Sequence, residues 1–384
     1  MKYGRGLAGG LLGLYAGISA LALLKSPTPF GIIWGGGALL VAAAAWKWRR
    51  YRGIAVNVAV ILLAFTGFEF YKVYGPTPDG GGPVSWFEGS YRNGQYFGKN
   101  DSVGNAPRPG IVCQSIKKNS HRVVYDVQYT IEPNGLRSTP QVPSGTPIAL
   151  FFGDSFVFGE GLNDGETLPS QWVFASKQHS GALNFGFHGY GAQQALAYLE
   201  SGRVAEIVAD RPVKWVVLST LPDHVLRTAG RYIFNSGTPR YVVKNGYLKR
   251  DGMYPNETIV GKVLRKSQVV RTVTRADVYA PATDSDFELY FQVVQAIRNR
   301  VKSQYGVELV ILLWGENEAN PDPNYQRILS GFKERKFRVI QVEPDVFGPN
   351  YVPEEMSIAG DGHPNATANR QVAQYLVRDM ELGN

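Results

Sequence analysis

The sequence is poor in cysteine and histidine. Among 384 residues there are one cysteine and five histidines. Cys113, being alone, cannot close an internal disulfide. That is compatible with a location outside the cytoplasm but does not argue for one. No Cys/His group has metal-ligand spacing, and no Gly-x-x-x-x-Gly-Lys loop occurs. Neither a metal nor a nucleotide is implied, and no cofactor is expected. Basic surface is also missing from most of the chain. The net charge of +8 invites a nucleic-acid reading, but residues 1–75 alone carry +7. There Lys2, Arg5, Lys25, Lys47, Arg49, Arg50, Arg52 and Lys72 face a single acid, Glu69. The rest is close to neutral, which argues against a phosphate-binding surface and a nucleic-acid partner.

The amino-terminal region has long uncharged runs. Residues 6–24 contain no charge, nor do residues 30–46, and a third run begins at Gly53 and ends around Glu69. At about 1.5 Å rise per residue, the first run spans roughly 28 Å, near the thickness of a bilayer core. A signal peptide is the competing reading of that run. Two further runs follow at once, however, and no Ala-x-Ala site precedes a soluble region. Residues 1–75 are therefore expected to be a membrane region with about three transmembrane helices. Lys2 and Arg5 precede the first span, and Lys47, Arg49, Arg50 and Arg52 separate the second from the third. This places both basic regions on the cytoplasmic side. The expected location is the inner membrane, multi-pass, with everything after about residue 75 on the periplasmic side.

Residues 75–83 are rich in Gly and Pro and read as a linker. Residues 76–145 are expected to hold this linker and a small β lead-in, with an alternating strand at 123–131 and a turn at Asn134-Gly135. From about 146 to 384, strands alternate with helices. Five apolar residues, Ile148 to Phe152, read as a strand buried on both faces, with a helix expected at about 167–177. Further strands are expected at 182–185, 213–219, 308–314 and 337–342. Helical character runs over 193–205. Leu289, Val293, Ile297 and Val301 form one helix stripe, and Val372, Leu376 and Met380 another, capped by Asn365. This alternation implies an α/β fold: a doubly wound parallel sheet with helices on both faces. Between about 225 and 285 the pattern breaks. That stretch reads as an insertion at the carboxyl edge, either a lid or substrate platform or a plain surface excursion.

The first strand stops at Gly153-Asp154-Ser155. The carboxyl end of such a strand is where ligands bind in open α/β sheets, so Ser155 stands where a nucleophile is useful. A serine hydroxyl needs a base, an orienting group and an oxyanion site. Gly360-Asp361-Gly362-His363-Pro364-Asn365, before the last helix, offers an imidazole two residues from a carboxylate. After the second strand, Asn184-Phe185-Gly186-Phe187-His188-Gly189-Tyr190-Gly191 forms a turn whose N–H groups can face an oxyanion. His188 reads there as a packed wall residue. An α/β-hydrolase elbow is absent: two residues after Ser155 stands Val157, not glycine.

From about residue 146 onward, leaving out the insertion, the chain resembles the SGNH hydrolase superfamily, the GDSL-type esterases and acyltransferases. The resemblance implies a three-layer, flavodoxin-like sheet with Ser155 as nucleophile and His363 as base. Asp361 is then the carboxylate, and the N–H groups of Ser155 and Gly189 form the oxyanion hole. Two departures stand out. Many members place the carboxylate three residues before the histidine, where this chain has Gly360. The Asp-x-His spacing is similar to that of relatives that modify exported polysaccharides. The third block's asparagine is also missing from Ser219-Thr220-Leu221-Pro222-Asp223-His224, and Gly315-Glu316-Asn317-Glu318 follows the wrong strand. The expected function is an extracytoplasmic serine esterase or O-acyltransferase acting on acyl esters, acetyl above all, of cell-envelope or exported carbohydrate. For transfer, a membrane partner is expected to deliver the acyl donor. The alternative is a catalytically silent glycan-binding or assembly component with the same fold.

Overall fold

The computed structural model describes residues 2–25, 29–47, 49–74, 85–91, 95–119, 122–232, 236–256, 258–264, 266–274, 281–316 and 322–382. The linker at 75–83 and Asn317 lie outside them. The chain forms two compact units. One comprises residues 1–86, 118–122 and 257–279, the other residues 87–117, 123–256 and 280–384.

The first unit is built on three helices, α1 (Lys2–Lys25), α2 (Pro29–Lys47) and α3 (Arg52–Tyr74). Among the described residues, Arg52–Lys72 is long and apolar enough to cross a membrane, while Leu14–Leu23 and Pro29–Ala45 are shorter apolar stretches. Ile54, Val60, Ile61 and Leu63 of α3 are all exposed, the pattern of a helix with apolar surface on its outside. Glycines let the helices approach. A Cβ on Gly31 would lie 2.8 Å from the Phe70 ring, and one on Gly36 would lie 2.8 Å from the Tyr15 ring. The unit also takes in part of the stretch read as an insertion. Glu69 of α3, 1% exposed, accepts hydrogen bonds from Ser267 Oγ (2.5 Å), Gln268 N (2.8 Å) and Val269 N (3.1 Å). It thereby caps the helix Gln268–Thr274, satisfying first-turn N–H groups that no carbonyl of that helix can reach. Lys266 Nζ donates to Leu23 O at 2.5 Å. Since Leu23 is in the last turn of α1 and Glu69 near the end of α3, these two helix ends lie at one end of the unit.

The second unit is organised by a five-stranded parallel sheet. Its strands are β1 (Ile148–Phe152), β2 (Gly181–Asn184), β3 (Val213–Thr220), β4 (Leu309–Leu313) and β5 (Arg338–Gln341). Their spatial order is β2-β1-β3-β4-β5, and every neighbouring pair is parallel. All five β1 residues are buried, because alternate side chains enter two different cores. Leu150 and Phe152 pack with Leu196, Val293 and Ile297. These belong to the helices named below as α6 and α7. Ala149 and Phe151 pack with Trp172, Val372 and Leu376 on the other face. The result is helix, sheet, helix.

The helices of this unit that frame the site are α4 (Ser155–Phe158), α5 (Leu168–Ala175), α6 (Ala192–Glu200), α7 (Asp284–Tyr305) and α8 (Ala366–Leu382). Two differ from expectation. The single-turn α4 begins at Ser155 itself, before the helix expected at 167–177. The helical run expected over 193–205 breaks into α6 and Arg203–Val208, because Gly202 adopts φ +76°. Asn365 does cap α8, accepting from Ala368 N at 3.0 Å. The described insertion residues of this unit include the end of the helix Asp223–Thr228 and the antiparallel hairpin Pro239–Lys244 and Tyr247–Met253. It is held to α6 by Tyr241 Oη, which donates to Glu200 Oε2 at 2.6 Å. Glu200 ends α6, while the turn after β2 precedes its start. The strand that carries Tyr241 therefore runs along α6, and the base of the hairpin at Gly237 packs on Gly104.

Candidate active site

β1 ends at Phe152 and the backbone turns at Gly153. A Cβ there would lie 2.6 Å from Val157 Cγ2 and 3.1 Å from Ser219 Cβ, so glycine keeps the turn tight. Asp154 caps α4 through Phe156 N–H, which donates to its Oδ1 at 3.0 Å. Ser155 thus opens α4 at the carboxyl end of β1. The chain next builds β2 on one side of β1 and then β3 on the other. Ser155 stands at this switch point, where open α/β sheets bind ligands.

The loop before α8 comes back to the same place. Gly360 (φ +81°) and Gly362 (φ +90°) adopt left-handed backbone conformations that a side chain disfavours. Ile358 N donates to His363 O at 2.8 Å and closes the loop. His363 Nε2 then lies 2.8 Å from Ser155 Oγ, and its Nδ1 lies 2.5 Å from Asp361 Oδ2. Nδ1–H is assigned as donor to the carboxylate, which leaves Nε2 to accept the serine proton. The other Asp361 oxygen pairs with Lys117. Burial opposes the charged form of Asp361, but His363 and Lys117 outweigh it and hold the carboxyl down at about 2.

A second carboxylate completes the surroundings. Glu160 Oε2 is 3.7 Å from His363 Nε2 and 2.6 Å from His188 Nδ1. His188 Nε2 is 3.0 Å from Tyr96 Oη. His188 packs among rings, with Phe158 at 4.4 Å and Phe187 at 5.0 Å between centroids. It is a wall residue. Burial disfavours the Glu160 anion, yet His188 and His363 bring its carboxyl down to about 2. Burial likewise disfavours charged His363, but Glu160, then Asp361, outweigh it and raise the imidazole above its ordinary range. Glu160, Asp361 and His363 place three ligating atoms within 4.8 Å of one another. His188, Lys117 and Ser155 already engage them, so the group forms a hydrogen-bonded set rather than a metal cage.

The turn after β2 is packed against this one. Asn184 Nδ2 donates to Val157 O at 2.9 Å, and Asn184 Oδ1 accepts from Gly186 N at 3.0 Å. A Cβ on Gly186 would lie 2.6 Å from Phe158 N and 2.9 Å from Asp154 O, so only glycine allows this approach. Gly189 follows with φ +70°. Among the described residues, the N–H groups of Ser155 and Gly189 have no hydrogen-bond partner in the protein. After β3 no amide side chain appears. His224 is wholly buried and turned inward, with Nε2 3.2 Å from Asp154 Oδ2 and Nδ1 3.0 Å from Thr220 Oγ1.

Lys117, Glu160 and Tyr96 were not singled out from the sequence. Glu160 had a usable signal. Gly159 and Gly161 flank it, at φ +81° and +79°, and Gly159 N and Glu160 N both donate to Ser155 O. The Gly-Glu-Gly turn thus carries a carboxylate back toward the serine. Lys117 and Tyr96 lie in separate lead-in segments, and no local pattern links them to residues 361 or 188.

No family model matches the chain, and no curated protein matches it either. Solved structures do. A G-D-S-L-family lipolytic protein from Desulfitobacterium hafniense DCB-2 is 14% identical, covering 61% of this chain and 98% of its own, at a TM-score of 0.36. A catalytic mutant of an acetylxylan esterase from Geobacillus stearothermophilus is also 14% identical, covering 63% and 96%, at 0.36. A GDSL-like lipase from Bacteroides thetaiotaomicron VPI-5482 is 12% identical, covering 64% and 93%, at 0.32. In its sheet order, in Gly153-Asp154-Ser155 after the first strand and in Asp361-Gly362-His363 before the last helix, the chain resembles the SGNH hydrolase superfamily.

Proposed function

We propose that the protein is a serine esterase or O-acyltransferase that forms an acyl-enzyme on Ser155. The observation that carries this reading is the chain of contacts from Ser155 Oγ through the His363 ring to Asp361, at 2.8 and 2.5 Å. Ser155 Oγ attacks the acyl carbon while His363 Nε2 takes its proton, and Asp361 stabilises the imidazolium. The N–H groups of Ser155 and Gly189 receive the developing oxyanion. His363 then protonates the departing alkoxide, leaving the acyl group on Ser155. Water or a second hydroxyl gives its proton to His363, attacks the acyl carbon and releases Ser155. The substrate class is an acyl ester, acetyl above all, of cell-envelope or exported carbohydrate. Transfer, as opposed to hydrolysis, calls on a membrane partner to deliver the acyl group. The proposed location is the inner membrane, with the second unit on the periplasmic side. The shared end of α1 and α3 supports an odd number of crossings, and the basic residues set the orientation.

The test uses the full chain in detergent or nanodiscs. A fluorophosphonate probe should label one residue, mapped by mass spectrometry to Ser155. Labelling elsewhere, or none on a folded protein, sinks the reading. A second reading, a silent glycan-binding component, draws on the block after β3, which lacks a side-chain oxyanion donor. Losing one such donor costs about 3 kcal/mol in barrier. Glycan binding without any acyl-enzyme would favour it.

Glu160 gives a signed pH prediction. The base must be neutral to act, so kcat/KM rises with pH as His363 loses its proton. Glu160 is the largest influence raising that imidazole. Glu160→Gln keeps the shape and can still bond His188. It should move the acidic limb of the kcat/KM profile to lower pH, and an unmoved or higher limb would contradict the role.

A further inference from the structure

The segment that returns to the first unit after residue 256 leaves apolar side chains uncovered. Ile259 is 81% exposed, Val260 66% and Val273 77%. They lie on two short helices, Ile259–Leu264 and Gln268–Thr274. Such surface marks a contact with a partner or a membrane, and the depth of the segment decides between them.

Glu69 fixes that depth. It stands within the last turn of Arg52–Lys72, the stretch long and apolar enough to cross a membrane. At about 1.5 Å per residue, its 21 residues span about 31 Å, the thickness of a hydrocarbon core. The hydrogen bonds from Ser267, Gln268 and Val269 to Glu69 therefore put the start of the second short helix at the rim of that core. Lys266, which reaches Leu23 O in the last turn of α1, lies at the same level. Val273 follows Gln268 by about 8 Å of helix at most, so it stays at the boundary between headgroups and acyl chains.

The backbone suits the same surroundings. Each N–H from residue 266 to residue 271 has an acceptor in the protein. Lys266 N and Ser267 N donate to Val263 O and Leu264 O, and Arg271 N donates to Ser267 O. Gln268 N and Val269 N reach Glu69, and Val270 N donates to Ser267 Oγ at 3.2 Å. A helix start in water can leave such groups to solvent, whereas lipid demands an internal partner for each. Residues 258–275 also hold five basic residues and no acidic one, a charge that suits phosphate headgroups.

We propose that residues 258–274 are an interfacial membrane anchor. Its occupant is lipid: acyl chains cover Ile259, Val260 and Val273, and headgroup phosphates answer the positive charge of the segment. The anchor rests on the membrane location proposed above, and the test lets the two fail apart.

The full chain is placed in nanodiscs of phosphatidylcholine and phosphatidylglycerol, on a Cys113→Ala background. Ile61→Cys, Val260→Cys and Val273→Cys each carry one environment-sensitive fluorophore, and lipids with a nitroxide shallow or deep along the acyl chain act as quenchers. The label at Ile61, at mid-span and 53% exposed, should be quenched about twofold more by the deep nitroxide. The labels at Val260 and Val273 should be quenched about twofold more by the shallow one. Quenching at position 61 with none at 260 and 273 would overturn the anchor and keep the span. No quenching at any position would overturn both. A disulfide joining two Val273→Cys chains, in place of quenching, would put a second copy where the anchor needs lipid and would also overturn it. The unchanged chain gives a check free of substitutions. A photoactivatable phosphatidylcholine should crosslink within residues 258–274, and crosslinks confined to α1, α2 and α3 would count against the anchor.

Discussion

Ser155→Ala is expected to lower turnover of an acyl ester by roughly 10⁴- to 10⁶-fold while leaving the fold intact. In the proposed mechanism the Ser155 hydroxyl, 2.8 Å from His363 Nε2, forms the covalent intermediate and gives its proton to that ring. The methyl of alanine fits a residue that is already buried, and Asp154 still caps α4 through Phe156 N–H. Residual rate would come from the Ser155 and Gly189 backbone N–H groups, which the substitution does not remove. His363→Ala should cost a similar amount, and the double variant little more, since the members of such a unit are not additive. The measurement is kcat on an acetyl ester alongside thermal unfolding. A Ser155→Ala protein keeping more than a tenth of wild-type turnover would refute the mechanism.

The largest effect on stability should come from the neighbouring residue, Asp154→Ala. Asp154 is 1% exposed. Its Oδ2 accepts from Arg227 Nη1 at 2.7 Å and lies 3.2 Å from His224 Nε2. Behind His224, Thr220 Oγ1 is 2.8 Å from Tyr290 Oη. The polar chain thus runs from the nucleophile turn to α7 through the interior. Removing the carboxylate takes from the buried Arg227 its shortest ionic contact and leaves it Tyr190 O at 2.9 Å and the Asp223 carboxylate at 3.7 Å, a loss of about 3–5 kcal/mol when one partner of a buried pair is deleted. Burial disfavours the Asp154 anion, but His224 and Arg227 outweigh it and hold the carboxyl well below its usual range. A folded-state value below the unfolded one stabilises above the ordinary carboxylate range, and that gain fades as pH falls. The difference between wild type and Asp154→Ala in urea should therefore be full at pH 6 and shrink below about pH 4. A loss under 1 kcal/mol at pH 6 would show that Tyr190 and Asp223 suffice to hold Arg227.

The parallel sheet and the three contacting residues were legible because their signals are local. β1 announces itself by five apolar residues, and Asp361 and His363 are two residues apart. What the sequence hid is contact at a distance. Lys117 meets Asp361 across 244 positions and Glu69 meets Ser267 across 198, and no periodicity marks either pair. The α4 turn was missed because four residues are too few to show a helical stripe. The hairpin's placement along α6 depends on Tyr241 finding Glu200, a pairing set by tertiary packing rather than by spacing.

Glu69 has a bearing on how the protein can be handled. The segment 257–279 leaves the second unit after residue 256 and rejoins it at residue 280, so trimming the first 75 residues does not give a clean water-soluble fragment. Such a fragment would keep Ser267, Gln268 and Val269 as donors stripped of their carboxylate. It would also display Ile259, Val260 and Val273, already exposed, with no apolar helices beside them. Precipitation of that fragment would report on an abandoned docking strip rather than on the second unit, and excising residues 257–279 together with the helices should cure it.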